Sequence, residues 1–198
     1  FATDYNASSC SASHIQAHVY LATDVDRVLI PTVTCNWISG DAVVWTNKNI
    51  IIQGAGIGQT IIIGYAVVFY VNINNVSKGA FRITNMTFGG APGASVIQIV
   101  ATSLIGTSCC WRIDHNHFDL DNGDFSNTIF IGGNAYGVID HNTFDESAGV
   151  SVDFSMRLER ESNDFATYGP EGALNYEQPA NLGGSSFVFV EDNTFTFS

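Results

Sequence analysis

Asp114, Asp140 and Glu191 each follow a branched aliphatic residue inside one recurring string. Its copies are Ile113-Asp114-His115-Asn116-His117-Phe118, Ile139-Asp140-His141-Asn142-Thr143-Phe144 and Val190-Glu191-Asp192-Asn193-Thr194-Phe195. If successive strings stack, their carboxylates form a column, and stacked carboxylates repel unless a cation or an arginine intervenes. The chemistry to expect of such a column is capture of a hard divalent cation, Ca2+ above all. Arg82 and Arg112, each one residue before a repeated Ile, stand beside the column, and the plainer expectation is a solvated face whose arginines offset its acids. A weaker Ca2+ candidate is Asp119-Leu120-Asp121-Asn122-Gly123-Asp124, with Asp119, Asp121 and Asp124 as ligands. It has Phe130 where a calcium loop needs its final Glu, and a plain polar turn is the simpler reading. His115 and His141 recur with the string, yet no Ser or Cys is placed beside them as a nucleophile, so they read as wall residues.

The string is the repeat that must position these groups. A looser copy, Ile83-Thr84-Asn85-Met86-Thr87-Phe88, puts branched aliphatics at 83, 113, 139 and 190, with gaps of 30, 26 and 51 residues. The last gap spans about two repeats, which predicts an intervening unit that has lost its signature and leaves only Asp114 and Asp140 as neighbours. A period of about 20–50 residues with one strand-like core per unit marks a solenoid, whose units bury their apolar faces only against each other. In each unit Ile113, Ile139 and Val190 are expected to point inward and Asp114, Asp140 and Glu191 outward, while Asn116, Asn142 and Asn193 take the corner in left-handed backbone. Phe118, Phe144 and Phe195 then return inward, joined by Phe88. Strands about 4.8 Å apart place like side chains over one another, giving an Asn ladder and a Phe stack.

Composition bounds the rest. The 198 residues suffice for one domain with a substantial core, read as a cap over 1–40 and coils over 41–198. Acids outnumber Lys and Arg by 19 to 7, for a net charge of -12, which argues against a nucleic-acid or anionic-membrane partner and favours cations or neutral glycans. Apolar runs such as Ile61-Ile62-Ile63 are far shorter than the roughly 20 residues of a membrane helix. The chain opens on Phe1, consistent with removal of a signal peptide or with a piece of a longer protein, and an extracellular location is expected. Four cysteines allow three pairings. Cys10 and Cys35 flank the cap and are read as a disulfide, whereas adjacent Cys109 and Cys110 would bond each other only with strain and read as small buried hydrophobes. Sequons at Asn6, Asn75 and Asn85 matter only in a glycosylating host.

Residues 13–22 carry apolar side chains at 15, 19 and 22 with Ser13 as N-cap, which predicts a short amphipathic helix. From Val28 onward, twelve short β-branched runs alternate with Gly, Asn and Asp: 28–30, 42–45, 50–53, 60–63, 67–71, 81–84, 96–100, 111–114, 128–131, 137–140, 150–154 and 187–191. They predict an all-β chain. The glycine-rich 54–58 segment leads into another strand rather than a helix, so it is not a phosphate loop. Arg157-Leu158-Glu159-Arg160-Glu161, the densest charge, reads as a solvated excursion.

Two regions resemble right-handed parallel β-helix proteins of the pectate-lyase-like superfamily, secreted or phage-encoded. One is the repeated Ile-Asp-His-Asn-x-Phe coil. The other runs from Cys10 through Ile15-Gln16, Asp26-x-Val28-x-Ile30-Pro31 and Thr34-Cys35-x-Trp37 to Lys48-Asn49-Ile50-x-Ile52-x-Gly54-Ala55-Gly56-x-Gly58-x-Thr60-Ile61-Ile62. Val33 departs from the pattern, since relatives usually carry Gly there. The resemblance implies a right-handed parallel β-helix with a short N-terminal capping helix. It also implies that, in an enzyme, an acidic polysaccharide would be cleaved by elimination, with an Arg or Lys base and Ca2+ or a cationic side chain on the uronate, or by hydrolysis between two carboxylates. No such constellation is legible here. The expected role is therefore a structural, adhesive or self-assembling extracellular solenoid, its partner another copy stacked head-to-tail on the open C-terminal coil, further coils of a longer chain, or a polysaccharide. The alternative is a polysaccharide lyase or glycoside hydrolase.

Overall fold

Short stretches in which buried and outward side chains alternate, such as Phe69 to Ile73 and Ile97 to Ala101, recur throughout the chain and fold as parallel strands. The computed structural model describes residues 1–64, 67–75, 77–90, 96–101, 111–119, 128–132, 135–146, 156–159 and 188–197. The chain begins with β1 (Asp4–Asn6), α1 (Ala12–Leu21), β2 (Arg27–Leu29), β3 (Val33–Asn36) and β4 (Val43–Thr46). It continues through β5 (Ile51–Gln53), β6 (Thr60–Gly64), β7 (Phe69–Ile73), β8 (Arg82–Thr84), β9 (Thr87–Gly90) and β10 (Ile97–Ala101). Then come β11 (Trp111–Asp114), β12 (His117–Asp119), β13 (Ile129–Gly132), β14 (Gly137–Asp140), β15 (Thr143–Glu146), β16 (Met156–Glu159), β17 (Val188–Glu191) and β18 (Thr194–Phe197).

These strands form three sheets, ordered β1-β2-β5-β8-β11-β14-β17, β3-β6-β9-β12-β15-β18 and β4-β7-β10-β13-β16. After α1 the chain visits them in rotation, each strand pairing in parallel with its counterpart one circuit away. This is a parallel β-solenoid with one short helix. The repeated strings lie in register: Ile113 pairs with Ile83 and Ile139, and Phe118 with Phe88 and Phe144. Ile52, Ile83, Ile113 and Ile139 line the inside of the first sheet, Ile62, Phe88, Phe118 and Phe144 that of the second, and Phe69, Ile97 and Ile129 that of the third; all are buried. Gly137 is required by this packing, because a Cβ there would fall inside the Trp111 indole and against the Trp111 carbonyl.

Several sequence expectations change. Among the described residues there are eighteen strands, and the second sheet accounts for most of those beyond the twelve runs. No unit intervenes between 139 and 190: β14 pairs directly with β17, aligning Ile139 with Val190 and Asp140 with Glu191. The doubled spacing lies between β16 and β17 within a single circuit. The charged segment begins as a strand, since β16 pairs with β13. The segment read as cap already supplies β1, β2 and β3, so the coils start before residue 41. Val190 and Phe195 continue the inward columns beside Ile139 and over Phe144, as expected, but are exposed on this last described rung. The run 150–154 and Cys109, Cys110, Asp121 and Asp124 lie outside the described residues.

The helix is capped two residues earlier than its sequence signal, because Ser11 rather than Ser13 is the N-cap and its Oγ accepts from the His14 N–H. Ala12, Ile15 and Val19 face the first circuit and are buried. At the other end, Lys48 Nζ donates to the carbonyls of Val19, Tyr20 and Ala22 at 2.7, 3.0 and 2.7 Å, closing the helix where its last acceptors are exposed. Cys10 and Cys35 are joined in a disulfide, as expected, across 25 residues of sequence. Reducing this bond is expected to lower stability by about 3 kcal/mol on the chain-entropy model. Urea unfolding with and without a reductant checks this, and superimposable curves would refute it.

Candidate functional site

The outward positions of the first sheet carry the charged side chains that the sequence singles out. Arg27, Arg82 and Arg112 occupy one outward column, Thr84, Asp114, Asp140 and Glu191 the next. Arg82 and Arg112 each reach diagonally to an acid on the next rung. Arg82 grips Asp114 with Nε at 2.7 Å and its second bond from Nη2, and Arg112 grips Asp140 at 2.8 and 2.5 Å. Arg27 makes a similar fork straight across to its register partner on β1, donating to Asp4 at 2.7 and 2.6 Å. Such two-point forks are the strongest arrangement of this ion pair.

The acids are therefore not a solvated column. The side chains of Asp114 and Asp140 are 0% and 3% exposed, covered by the arginines and by the following imidazoles. His115 Nδ1 lies 2.7 Å from Asp114 Oδ2, and His141 Nδ1 2.6 Å from Asp140 Oδ2. The two rings are stacked, with centroids 5.1 Å apart and planes within 5°. Left-handed backbone at the corner belongs to these residues and not to the following Asn: φ is 60° at Asn85, 53° at His115 and His141, and 52° at Asp192. Asn, Asp and His are the non-glycine residues that best tolerate this region, which accounts for their alternation in the repeat.

The Asn of each string has a different task. Asn142 Oδ1 accepts the Asn116 N–H at 3.0 Å while its Nδ2 donates to the Ile113 carbonyl at 2.9 Å, and Asn193 does the same for Asn142 and Ile139 at 3.0 and 2.8 Å. Asn116 serves Met86 and Ile83 at 3.3 and 3.0 Å. The ladder thus bridges the corner, where side chains supply the bonds between rungs. Beside it Phe88, Phe118, Phe144 and Phe195 stack at centroid distances of 5.2, 4.7 and 5.0 Å.

With arginine neutralising Asp114 and Asp140, the repulsion that motivated a Ca2+ ion is met within the protein. Among the described residues no three His, Cys, Asp or Glu side chains converge as a cation site. Asp119 lies on β12, away from that column, beside Asp145 in register, and His117 Nε2 sits 2.8 Å from Asp145 Oδ2. This second carboxylate pair escaped the sequence reading because the strand holding it was not recognised. Asn6 and Asn75 are exposed, whereas Asn85 is partly buried at its corner, its carbonyl held against Gly54.

Arg112 holds the Asp140 carboxyl below the ordinary carboxylate range; burial opposes this and His141 adds to it. A depressed folded value means that the pairing stabilises above the unfolded value of about 3.9 and is lost as pH falls through the folded one. Asp140→Asn is therefore expected to be less stable than the wild type near neutrality, with the difference shrinking below about pH 4. Melting temperatures measured from pH 2 to 7 check this; a constant difference would count against the pairing.

Every lysine and arginine whose side chain is described is engaged: Arg27 with Asp4, Lys78 with Asp24, Lys48 with the helix carbonyls, and Arg82 and Arg112 with the buried acids. Burial holds Lys48 below the ordinary lysine value, while the Lys78 hydrogen bond and the Asn49 amide hold Asp24 down. In the shallow cleft that Lys48 and Lys78 share with Tyr20, Ala22, Thr23 and Asp24, Lys78 is thus paired with Asp24 and Lys48 is bonded to the helix carbonyls. No helix among the described residues is long and apolar enough to cross a membrane. Comparison with protein-family models, with curated proteins and with solved structures returned no match for this chain.

Proposed function

We propose that the protein is a non-catalytic, extracellular β-solenoid with a structural or adhesive role, presenting stacked faces to a neutral glycan. One observation carries this reading: every lysine and arginine whose side chain is described is tied to an acid or to a helix end, and the buried Asp114 and Asp140 are held by arginine. Elimination on a uronate needs a cationic group facing substrate and a base that can take its proton. Arginines bound at two points to buried carboxylates supply neither.

The face best suited to a glycan is the third sheet, where Val44, Tyr70, Gln98 and Phe130 stand in register on the outward side. An aromatic ring, an amide and a second ring on successive rungs offer sugar faces to stack on and hydroxyls a partner. Rungs repeat at about 4.8 Å, close to the advance of one sugar in an extended chain. Incubation with polygalacturonate and alginate plus Ca2+, followed for unsaturated uronate absorbance and new reducing ends, is expected to give no product. Affinity electrophoresis in neutral polysaccharides is expected to show retardation that Tyr70→Ala removes. Product release, or retardation unaffected by that variant, overturns the proposal.

A glycoside hydrolase is the second reading, favoured by Asp119 and Asp145 in register on adjacent strands with His117 on the latter. Retaining hydrolysis uses carboxyl groups about 5–5.5 Å apart, near the strand spacing of about 4.8 Å. Reducing ends released from any glycan and abolished by Asp145→Asn would establish it in place of the first.

A further inference from the structure

We infer that the stacked imidazoles of His115 and His141 form a binding site for a borderline divalent metal ion of the Zn2+ type, ligated through their Nε2 atoms. The geometry already contains the outer half of such a site. Each Nδ1 faces the oxygen of a buried aspartate, at 2.7 Å for Asp114 and 2.6 Å for Asp140. Those oxygens also accept from arginine, so the hydrogen of each contact belongs to the ring. With Nδ1 protonated, the neutral ring carries its free lone pair on Nε2. A carboxylate behind Nδ1 that fixes tautomer and ring orientation is the usual support of a metal-bound imidazole.

The pairing is a product of the fold. Both residues occupy the same left-handed corner on adjacent rungs, which brings two side chains 26 positions apart into a parallel stack 5.1 Å between centroids. Both are about half exposed, at 48% and 49%, so the rings have room to lean and an ion can reach them from solvent. Two nitrogens on one tetrahedral Zn2+, at about 2.0–2.1 Å each, lie about 3.3 Å apart. Binding therefore asks the parallel rings, 5.1 Å apart, to tilt together by roughly 2 Å at their outer edge until their in-plane lone pairs converge on the ion. Asp192 takes the same corner one rung further on and continues the column with a carboxylate. Since no three ligating side chains converge among the described residues, the site is a two-imidazole one, with water completing the shell. Imidazole ligands favour Zn2+, Ni2+ and Cu2+ over Ca2+ and Mg2+.

The test is calorimetric titration of the whole protein with Zn2+ at neutral pH, alongside nitrogen-15 spectra of the histidine rings. One ion per chain is expected, with the Nε2 resonances of His115 and His141 moving together and Nδ1 staying protonated. Because Asn85 already fills this corner at φ 60°, His115→Asn and His141→Asn keep the backbone conformation. Each is expected to weaken binding by more than the roughly tenfold that loss of an outer-shell partner costs. His14→Asn, on a histidine whose partners among the described residues are serines, should bind as the wild type does. Absence of saturable binding, unmoved Nε2 resonances, or equal affinity in the corner variants overturns the inference.

Discussion

Phe118→Ala is expected to lower the unfolding free energy by about 3–5 kcal/mol, the range for deleting a large aromatic from a packed core. Phe118 is fully buried between Phe88 and Phe144, with centroids at 5.2 and 4.7 Å. The cavity left behind has a ring on either side, and both rings are fixed by strands in register with β12. Collapse would therefore require two rungs to move, which is why the upper part of the range is expected. Phe195 sits in the same column but is 39% exposed, so Phe195→Ala should cost less than about 2 kcal/mol. Urea unfolding of the two variants measures both. Equal losses would mean that the stack does not run through the interior in the order described.

Asn142→Leu is expected to be nearly as damaging, by about 2–6 kcal/mol, because it strands two buried backbone groups at a cost of about 1–3 kcal/mol each. The Asn116 N–H loses its acceptor and the Ile113 carbonyl its donor, and Leu can replace neither. An earlier rung shows how an apolar residue is tolerated in this column. Met86 stands at the Asn position, and the Ala55 N–H, which an Asn there would accept, is taken instead by Thr60 Oγ1 at 2.8 Å. Nothing comparable is bonded to the Asn116 N–H among the described residues. Amide hydrogen exchange should accordingly show Asn116 losing protection in the variant while Ala55 keeps its own. An unchanged Asn116 would remove the ladder from the explanation of the corner.

The repeated string made the solenoid legible, because an aliphatic, an Asn and a Phe at fixed spacing can all be buried only if successive copies lie over each other. The Cys10–Cys35 bridge and the helix were legible for similarly local reasons. Most of the second sheet was not: β6 answers the run 60–63, but β9, β12 and β15 each follow a first-sheet strand after a two-residue corner, inside what reads as one repeated string. Spacing alone could not separate a lost repeat from a long connection, and so Glu191 was set apart from Asp140 when it is its neighbour. Alternation correctly turned Asp114 and Asp140 away from the aliphatic core, but burial depends on what lies over them. Arg82 and Arg112 were legible as counter-charges beside the acids, as they are, but the imidazoles of His115 and His141, which fold back on the residue before them and complete the cover, were not. Left-handed geometry was assigned to the Asn for its known tolerance, although the residue before it turns the chain.

Side chains able to do chemistry on the first sheet instead tie one rung to the next. A double-mutant cycle on Arg112 and Asp140, using Arg112→Met, Asp140→Asn and the pair, tests that most directly. Residues in direct contact couple by about 0.5–3 kcal/mol, and the two-point fork onto a buried acid places the expected coupling above about 1 kcal/mol. A coupling indistinguishable from zero, with the two single losses simply adding, would contradict it.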